Sequence, residues 1–221
     1  MKDRLSGIGF SDFAEMAQDS SLSLNEKIGF PDAYREGYGH LIYKDLKSKL
    51  TNLQKPQQVV LDIGPGCADL PNLIIAGCKK MKHHLYLIDS REMLAHLPDG
   101  KGITKIEGFY PDCIVDSVEL FGKFDIIICY SVFHYIFVEA GFWRFLDHSL
   151  GLLSPGGQML IGDIPNTSKR KRFFSSSAGI RFHKEFMKTI DEPNVDHLTI
   201  EYDKIDDAVL LGVIMRARAA G

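Results

Sequence analysis

The stretch Val59 to Ala68, VVLDIGPGCA, decides how this chain folds. An apolar run carrying one carboxylate, Asp62, leads directly into Gly64-Pro65-Gly66. A short apolar run of this kind predicts a strand buried on both faces, as in parallel sheets covered by helices. Glycines placed directly after it let the backbone turn sharply and let a ligand lie against it with no Cβ in the way. The helix that follows would aim its N-terminus at that ligand.

Four more short apolar runs follow: Leu85 to Ile88, Ile103 to Ile106, Phe124 to Cys129 and Gln158 to Ile161. Helical spacing fills the intervals at Pro71 to Lys80, Arg91 to Leu97, Pro111 to Phe121 and Val138 to Leu153. Strands alternating with helices predict an α/β, doubly wound, mainly parallel sheet. Its site is then expected at the carboxyl ends of the strands. Ahead of Pro56 the pattern is helical. Ser11 to Gln18 and Asp32 to Leu53 are the candidates, the second weakened by Gly37 and Gly39, with a loop from Asp19 to Phe30. Residues 1–55 therefore read as a helical cover and 56–221 as the sheet domain. Beyond the fifth run we expect a loop at Ser168 to Ser177 and helices at Gly179 to Lys188 and Asp206 to Ala219. Leu198 to Tyr202 is the only further strand candidate.

Composition narrows the function. The chain has 221 residues, 25% of them charged, and a formal net charge of −3. That is enough for one domain with a small appendage, and its slight acidity argues against a dedicated nucleic-acid binder. The four cysteines form no C-x-x-C pair, which points to reduced thiols and no zinc site. Ile126 to Val138 is the most apolar stretch; it is too short to span a bilayer and contains Ser131 and His134. Met1 to Phe13 lacks the apolar core of a secretion signal. The expectation is a cytoplasmic protein with no membrane and no nucleic-acid partner.

The ligand is narrowed by what the turn lacks. A dinucleotide fingerprint would place Gly or Ala at position 69, where Asp69 stands, and no G-K-[ST] follows the turn. Leu85 to Ser90, LYLIDS, ends in Asp89, an acid placed to accept hydrogen bonds from two ribose hydroxyls. Phe124 to Tyr135 carries Tyr130, Ser131, His134 and Tyr135 at the end of its strand, and LLSPGG at Leu152 to Gly157 leads into the fifth.

Together these residues resemble the class I S-adenosylmethionine-dependent methyltransferases over Val59 to Asn166. Asp62 to Ala68 is similar to the family's D/E-x-G-x-G-x-G motif, with Ala68 in the third glycine's place. Leu152 to Gly157 matches its L-x-P-G-G turn. The family's acid after the third strand is missing, since Gly108-Phe109-Tyr110 stands there and Asp112 comes late. No [DN]PP[YFW] motif follows the fourth strand, which argues against amino methylation of nucleic acid.

The resemblance implies a Rossmann-like fold with an N-terminal helical cover and S-adenosylmethionine as cofactor. It also implies two closing strands, which this sequence does not display, so a C-terminal hairpin is expected to be missing. The cofactor residues it implies are Asp62, Gly64, Pro65, Gly66, Asp89, Ser90, Met93, Tyr130 and Ser131. His134 and Asp163 are the candidate bases; each could equally pack or cap a turn. Tyr34, Arg35, Tyr38 and Asn166 are candidates for acceptor contact, set against solvated surface positions. Gly162 to Asn166 followed by KRKR at Lys169 to Arg172 resembles methyltransferases encoded with bacterial surface-polysaccharide synthesis. That implies O-methylation of a sugar or of a phosphorylated glycan precursor. A non-catalytic binder of S-adenosylmethionine remains an alternative, as does an NAD-dependent oxidoreductase, against which Asp69 argues.

Overall fold

The computed structural model describes residues 7–199, 201 and 203–221. The chain forms two compact units, Met1–Asp163 and Ile164–Gly221. The boundary expected near Pro56 is therefore corrected: the N-terminal helices belong to the same unit as the sheet. The reason is a shared core, in which Leu46, Leu50 and Leu53 pack in one cluster with Val60, Ile74, Leu85 and Ile126.

The cover comprises α1 (Phe10–Gln18), α2 (Leu24–Lys27), α3 (Asp32–Arg35) and α4 (Gly39–Lys49). Helix α2 lies where a loop was expected. Its cause is a capping box: Glu26 N–H donates to Ser23 Oγ at 3.1 Å and Ser23 N–H donates to Glu26 Oε2 at 2.9 Å. The single helix expected from Asp32 is broken at Gly37, whose φ is +77°. Lys27, although buried, holds α1 in place: its Nζ donates to Ala17 O at 2.6 Å and Asp19 O at 2.7 Å, where a helix end leaves carbonyls unpaired.

The sheet contains β1 (Val59–Ile63), β2 (His84–Asp89), β3 (Ile103–Glu107), β4 (Phe124–Tyr130) and β5 (Leu153–Gly162). The order is β3-β2-β1-β4-β5 and every pair is parallel. Val60 aligns with Leu85 on one side and Ile126 on the other. Burial of β1 and β4 on both faces explains their continuous apolar runs. Helices α5 (Asp69–Met81), α6 (Arg91–Ala95), α7 (Phe133–Glu139) and α8 (Phe142–Leu152) make the connections. The helix expected from Val138 is split at Gly141, φ +69°, and its first half starts earlier, at Phe133. The helix expected over Pro111 to Phe121 is two short 3-10 turns, Asp112–Ile114 and Val118–Leu120, interrupted by Asp116 and Ser117, residues that favour local turns. Strand β5 begins at Leu153 and absorbs the SPGG turn, with a register shift opposite Phe124 and Ile126.

Among the described residues five strands pair, and β5 forms one edge. In the strand candidate at 198–202, residues 200 and 202 lie outside the described residues; Leu198, Thr199 and Glu201 are not in a strand. Residues 1–6 of the N-terminal reading also lie outside them. The second unit contains α9 (Thr167–Phe174), α10 (Ser177–Met187) and α11 (Asp207–Ala220). Helix α9 replaces the expected loop because Asn166 caps it, accepting from Lys169 N–H at 2.6 Å. Among the described residues no helix is long and apolar enough to cross a membrane, and no His, Cys, Asp and Glu group could hold a metal.

Replacing Lys27 with Met keeps the packing volume and removes the donors to α1. Urea denaturation is expected to show a loss of about 1–3 kcal/mol; an unchanged midpoint would remove the lysine from the account of how α1 is held.

Candidate functional site

A cleft of about 1080 Å³, its open mouth included, opens over the carboxyl ends of β1, β2 and β4. Strand order reverses between β1 and β4, and such a switch point is where an open parallel sheet parts to admit a ligand. The floor is the Gly64-Pro65-Gly66 turn, and Ile28 and Phe30 of the cover line the same space.

Both glycines are required twice over. Each has φ +66°, a left-handed conformation that side chains resist. A Cβ on Gly64 would meet Val132 Cγ2 at 2.6 Å, and one on Gly66 would meet Ile28 Cγ2 at 2.7 Å. The turn is tied to the next strand, since Gly66 N–H donates to Asp89 Oδ2 at 3.0 Å. Asp89 Oδ1 accepts from Ser90 N–H at 2.7 Å. Each carboxylate oxygen keeps further acceptor capacity. Ser90 in turn caps α6, accepting from Met93 N–H at 3.2 Å, and Met93 lines the cleft.

Asp62 lies one residue from the end of β1 and is 3% exposed. Burial, reinforced by the negative charge of Asp89, pushes its carboxyl up to about 7. Burial likewise raises Asp89 to about 6, with the Gly66 and Ser90 N–H groups pulling the other way. Two acids at adjacent strand ends, Asp62 buried and Asp89 partly so, thus make a region in which a positive ligand group is favoured.

At the far side of the cleft the cover meets the ends of β4 and β5. Arg35 Nη2 donates to Ser131 Oγ at 2.9 Å and Nη1 approaches Asp163 Oδ2 at 3.3 Å. Ser131 Oγ donates to the same Asp163 oxygen at 2.5 Å. The guanidinium lies 4.4 Å from the centroid of Phe30 and 5.6 Å from that of Tyr130. Ser131 and Asp163 have φ of +61° and +54°, sparsely populated values for residues with a side chain. They fall directly after adjacent strands β4 and β5, at the carboxyl ends that border the cleft.

The structure brings Gly64, Pro65, Gly66, Asp89, Met93, Tyr130, Ser131 and Arg35 onto one cleft. Asp163 joins them through Arg35 and Ser131. Asp62 and Ser90 lie behind its wall. His134 does not line it; its ring packs on Tyr135 at 3.9 Å. Tyr34 and Tyr38 are exposed and off the cleft, Asp112 pairs with Arg144, and Asn166 caps α9 in the second unit. Sequence reasoning missed the roof: Phe10 contacts Phe109 and Phe13 contacts Tyr135, both edge-on. The spacing of Phe10 and Phe13 in an amphipathic helix was the available signal. Glu139, which accepts from Phe10 N–H at 3.3 Å, had none.

No protein-family model matches the sequence, and no curated protein matches it. Solved structures do. The N-methyltransferase NodS from Bradyrhizobium japonicum WM9, in complex with S-adenosylhomocysteine, aligns with a TM-score of 0.54 at 15% identity, over 74% of this chain and 76% of that one. The plantazolicin methyltransferase BamL, in complex with a triazolic desmethylPZN analogue and S-adenosylhomocysteine, aligns at 0.56 and 14%, over 95% and 73%. The CurJ carbon methyltransferase aligns at 0.55 and 14%, over 94% of this chain and 57% of that one. This chain therefore has the Rossmann-like α/β fold that these methyltransferases share. One fold here serves nitrogen and carbon acceptors, so it does not name an acceptor.

The raised Asp62 carboxyl has a thermodynamic consequence. It binds its proton more tightly in the folded protein than in the unfolded one, so stability falls as pH rises from about 4 to about 7. Asp62→Asn is expected to raise the melting temperature by several degrees at pH 8, and the gain should shrink steadily towards pH 4. A gain independent of pH would contradict the buried-charge account.

Proposed function

We propose that this chain is an S-adenosylmethionine-dependent methyltransferase acting on a small molecule. The observation that carries the reading is the Asp89 carboxylate, fixed by the Gly66 N–H at the floor of the cleft. It puts an acceptor for ribose hydroxyls and a bare backbone turn side by side. The residues fit the group in other respects. The Asp62 carboxyl behind the wall favours the cationic amino-acid end, and Met93 and Phe109 offer apolar surface to a flat base. When bound, S-adenosylmethionine supplies a methyl group already activated by its sulfonium charge.

The protein's own part is alignment and exclusion of water. Phe10 and Phe13 of α1 roof the cleft, and Tyr130, Val132 and Tyr135 wall it. Asp163 is the proposed base. Ser131 and Arg35 orient its carboxylate beside the cleft, and its side chain is 43% exposed, so it can accept a proton from an acceptor hydroxyl. Arg35 is the proposed acceptor contact, because it is the one cation among the residues lining the cleft. A hydroxyl of a sugar or of a phosphorylated glycan precursor suits this polar pair. A cytoplasmic site of action suits four free cysteines.

Calorimetric titration tests the cofactor. S-adenosylhomocysteine is expected to bind in the micromolar range and NADH not at all, with Asp89→Ala weakening the former about tenfold or more. Binding of NADH alone would overturn the reading, and cofactor binding without transfer to any acceptor would favour a non-catalytic binder. With an acceptor in hand, Asp163→Asn is expected to lower kcat at least about a hundredfold with little change in KM; an unaltered kcat would remove Asp163 as the base.

A further inference from the structure

The second unit carries a charge pattern that the cleft does not use. Between Ile164 and Lys188 there are seven Lys and Arg residues against one acid, Glu185. Three of the seven are committed to ion pairs: Lys171 with Glu201, Arg172 with Asp207 and Lys184 with Glu192. The acids of the unit other than Glu185 follow α10 in the chain; Glu192, Glu201 and Asp207 fold back to pair with Lys184, Lys171 and Arg172, which leaves Lys169, Arg170, Arg181 and Lys188 as the cations of this block without an ion pair among the described residues.

Large apolar side chains stand among these cations. Phe182 is 48% exposed and Phe186 53%, one turn apart on α10 and stacked at 5.6 Å with planes 12° apart. Phe173 of α9 extends the row, its ring 5.8 Å from that of Phe182. Met187 and Ile190 are also exposed, the latter at 90%. The exposed parts of these side chains leave apolar area in contact with water, and covering it is worth ~25 cal/mol for each Å².

We propose that α9 and α10 form a docking surface for an anionic phospholipid membrane. Aromatic and aliphatic side chains enter the boundary between headgroups and acyl chains, while the long Lys and Arg side chains reach the lipid phosphates. The charge selects the occupant. A second copy docking on this face would set Lys169, Arg170, Arg181 and Lys188 against the same four cations, whereas a negative surface potential attracts each basic residue near it. Met187 and Ile190 also favour lipid over a single-stranded nucleic acid, whose bases stack on rings and gain little from aliphatic ends. The docking is peripheral. The docking does not rest on the chemistry proposed for the cleft, so it can fail or hold without it.

The test is sedimentation of the full chain with vesicles of phosphatidylcholine alone and of phosphatidylcholine mixed with phosphatidylglycerol. Binding is expected only to the mixed vesicles, and is expected to fall as salt rises. The pair Phe182→Ser with Phe186→Ser, and separately Arg181→Glu with Lys188→Glu, should each reduce binding at least about tenfold. Both pairs are surface changes, and an unaltered melting temperature confirms that they fold. The proposal is overturned by absence of binding to mixed vesicles, or by equal binding to both compositions. Concentration-dependent dimerisation abolished by the Phe182 and Phe186 changes, or retention on a uridine oligonucleotide instead of vesicles, would overturn it as well.

Discussion

Strand β1 lies between β2 and β4, and both of its faces are covered. From that position the chain builds outward to β2 and β3 on one side and to β4 and β5 on the other. The sheet has to part at the carboxyl end of β1, because the connections leaving β1 and β4 run to opposite sides. The Gly66 N–H to Asp89 Oδ2 bond closes the floor of the opening by tying the turn after β1 to the end of β2. Everything proposed for the cleft depends on this joint, which holds a bare backbone and a carboxylate at fixed separation.

The cover is built around the same joint. Ile28 packs where a Cβ on Gly66 would stand, so the glycine is needed for the approach of the cover as much as for any ligand. Arg35 arrives from the other end of the cover and bonds to the ends of β4 and β5 through Ser131 and Asp163. Lys27 holds the C-terminal carbonyls of α1, whose Phe10 and Phe13 complete the roof. The cover thereby lines the cleft as well as sharing the core of the sheet, which is why the two form one compact unit.

Much of the fold was legible because its signals are local. The run at Val59–Ile63 coincides with β1, and the other four runs each fall within an observed strand. The misreadings have physical causes. At Pro111 to Phe121 apolar spacing outweighed Asp116 and Ser117, which prefer turns. At Asp19 to Phe30 overall polarity hid the Ser23 and Glu26 capping box, a signal that could have been used. At Ser168 to Ser177 the basic run read as a loop, and Asn166, weighed for acceptor contact, is in fact the cap that starts α9.

The sequence by itself determined the five strands, the glycine turn after β1 and the acid at the end of β2, because each depends on neighbours within a few residues. Only the tertiary structure decided which side chains share the cleft. Arg35, Ser131 and Asp163 are far apart in the chain, and no periodicity relates them. Their meeting depends on how the cover folds back over adjacent strand ends, a matter of long-range packing. The same holds for His134, which local reasoning put at a strand end near the site and packing turned against Tyr135.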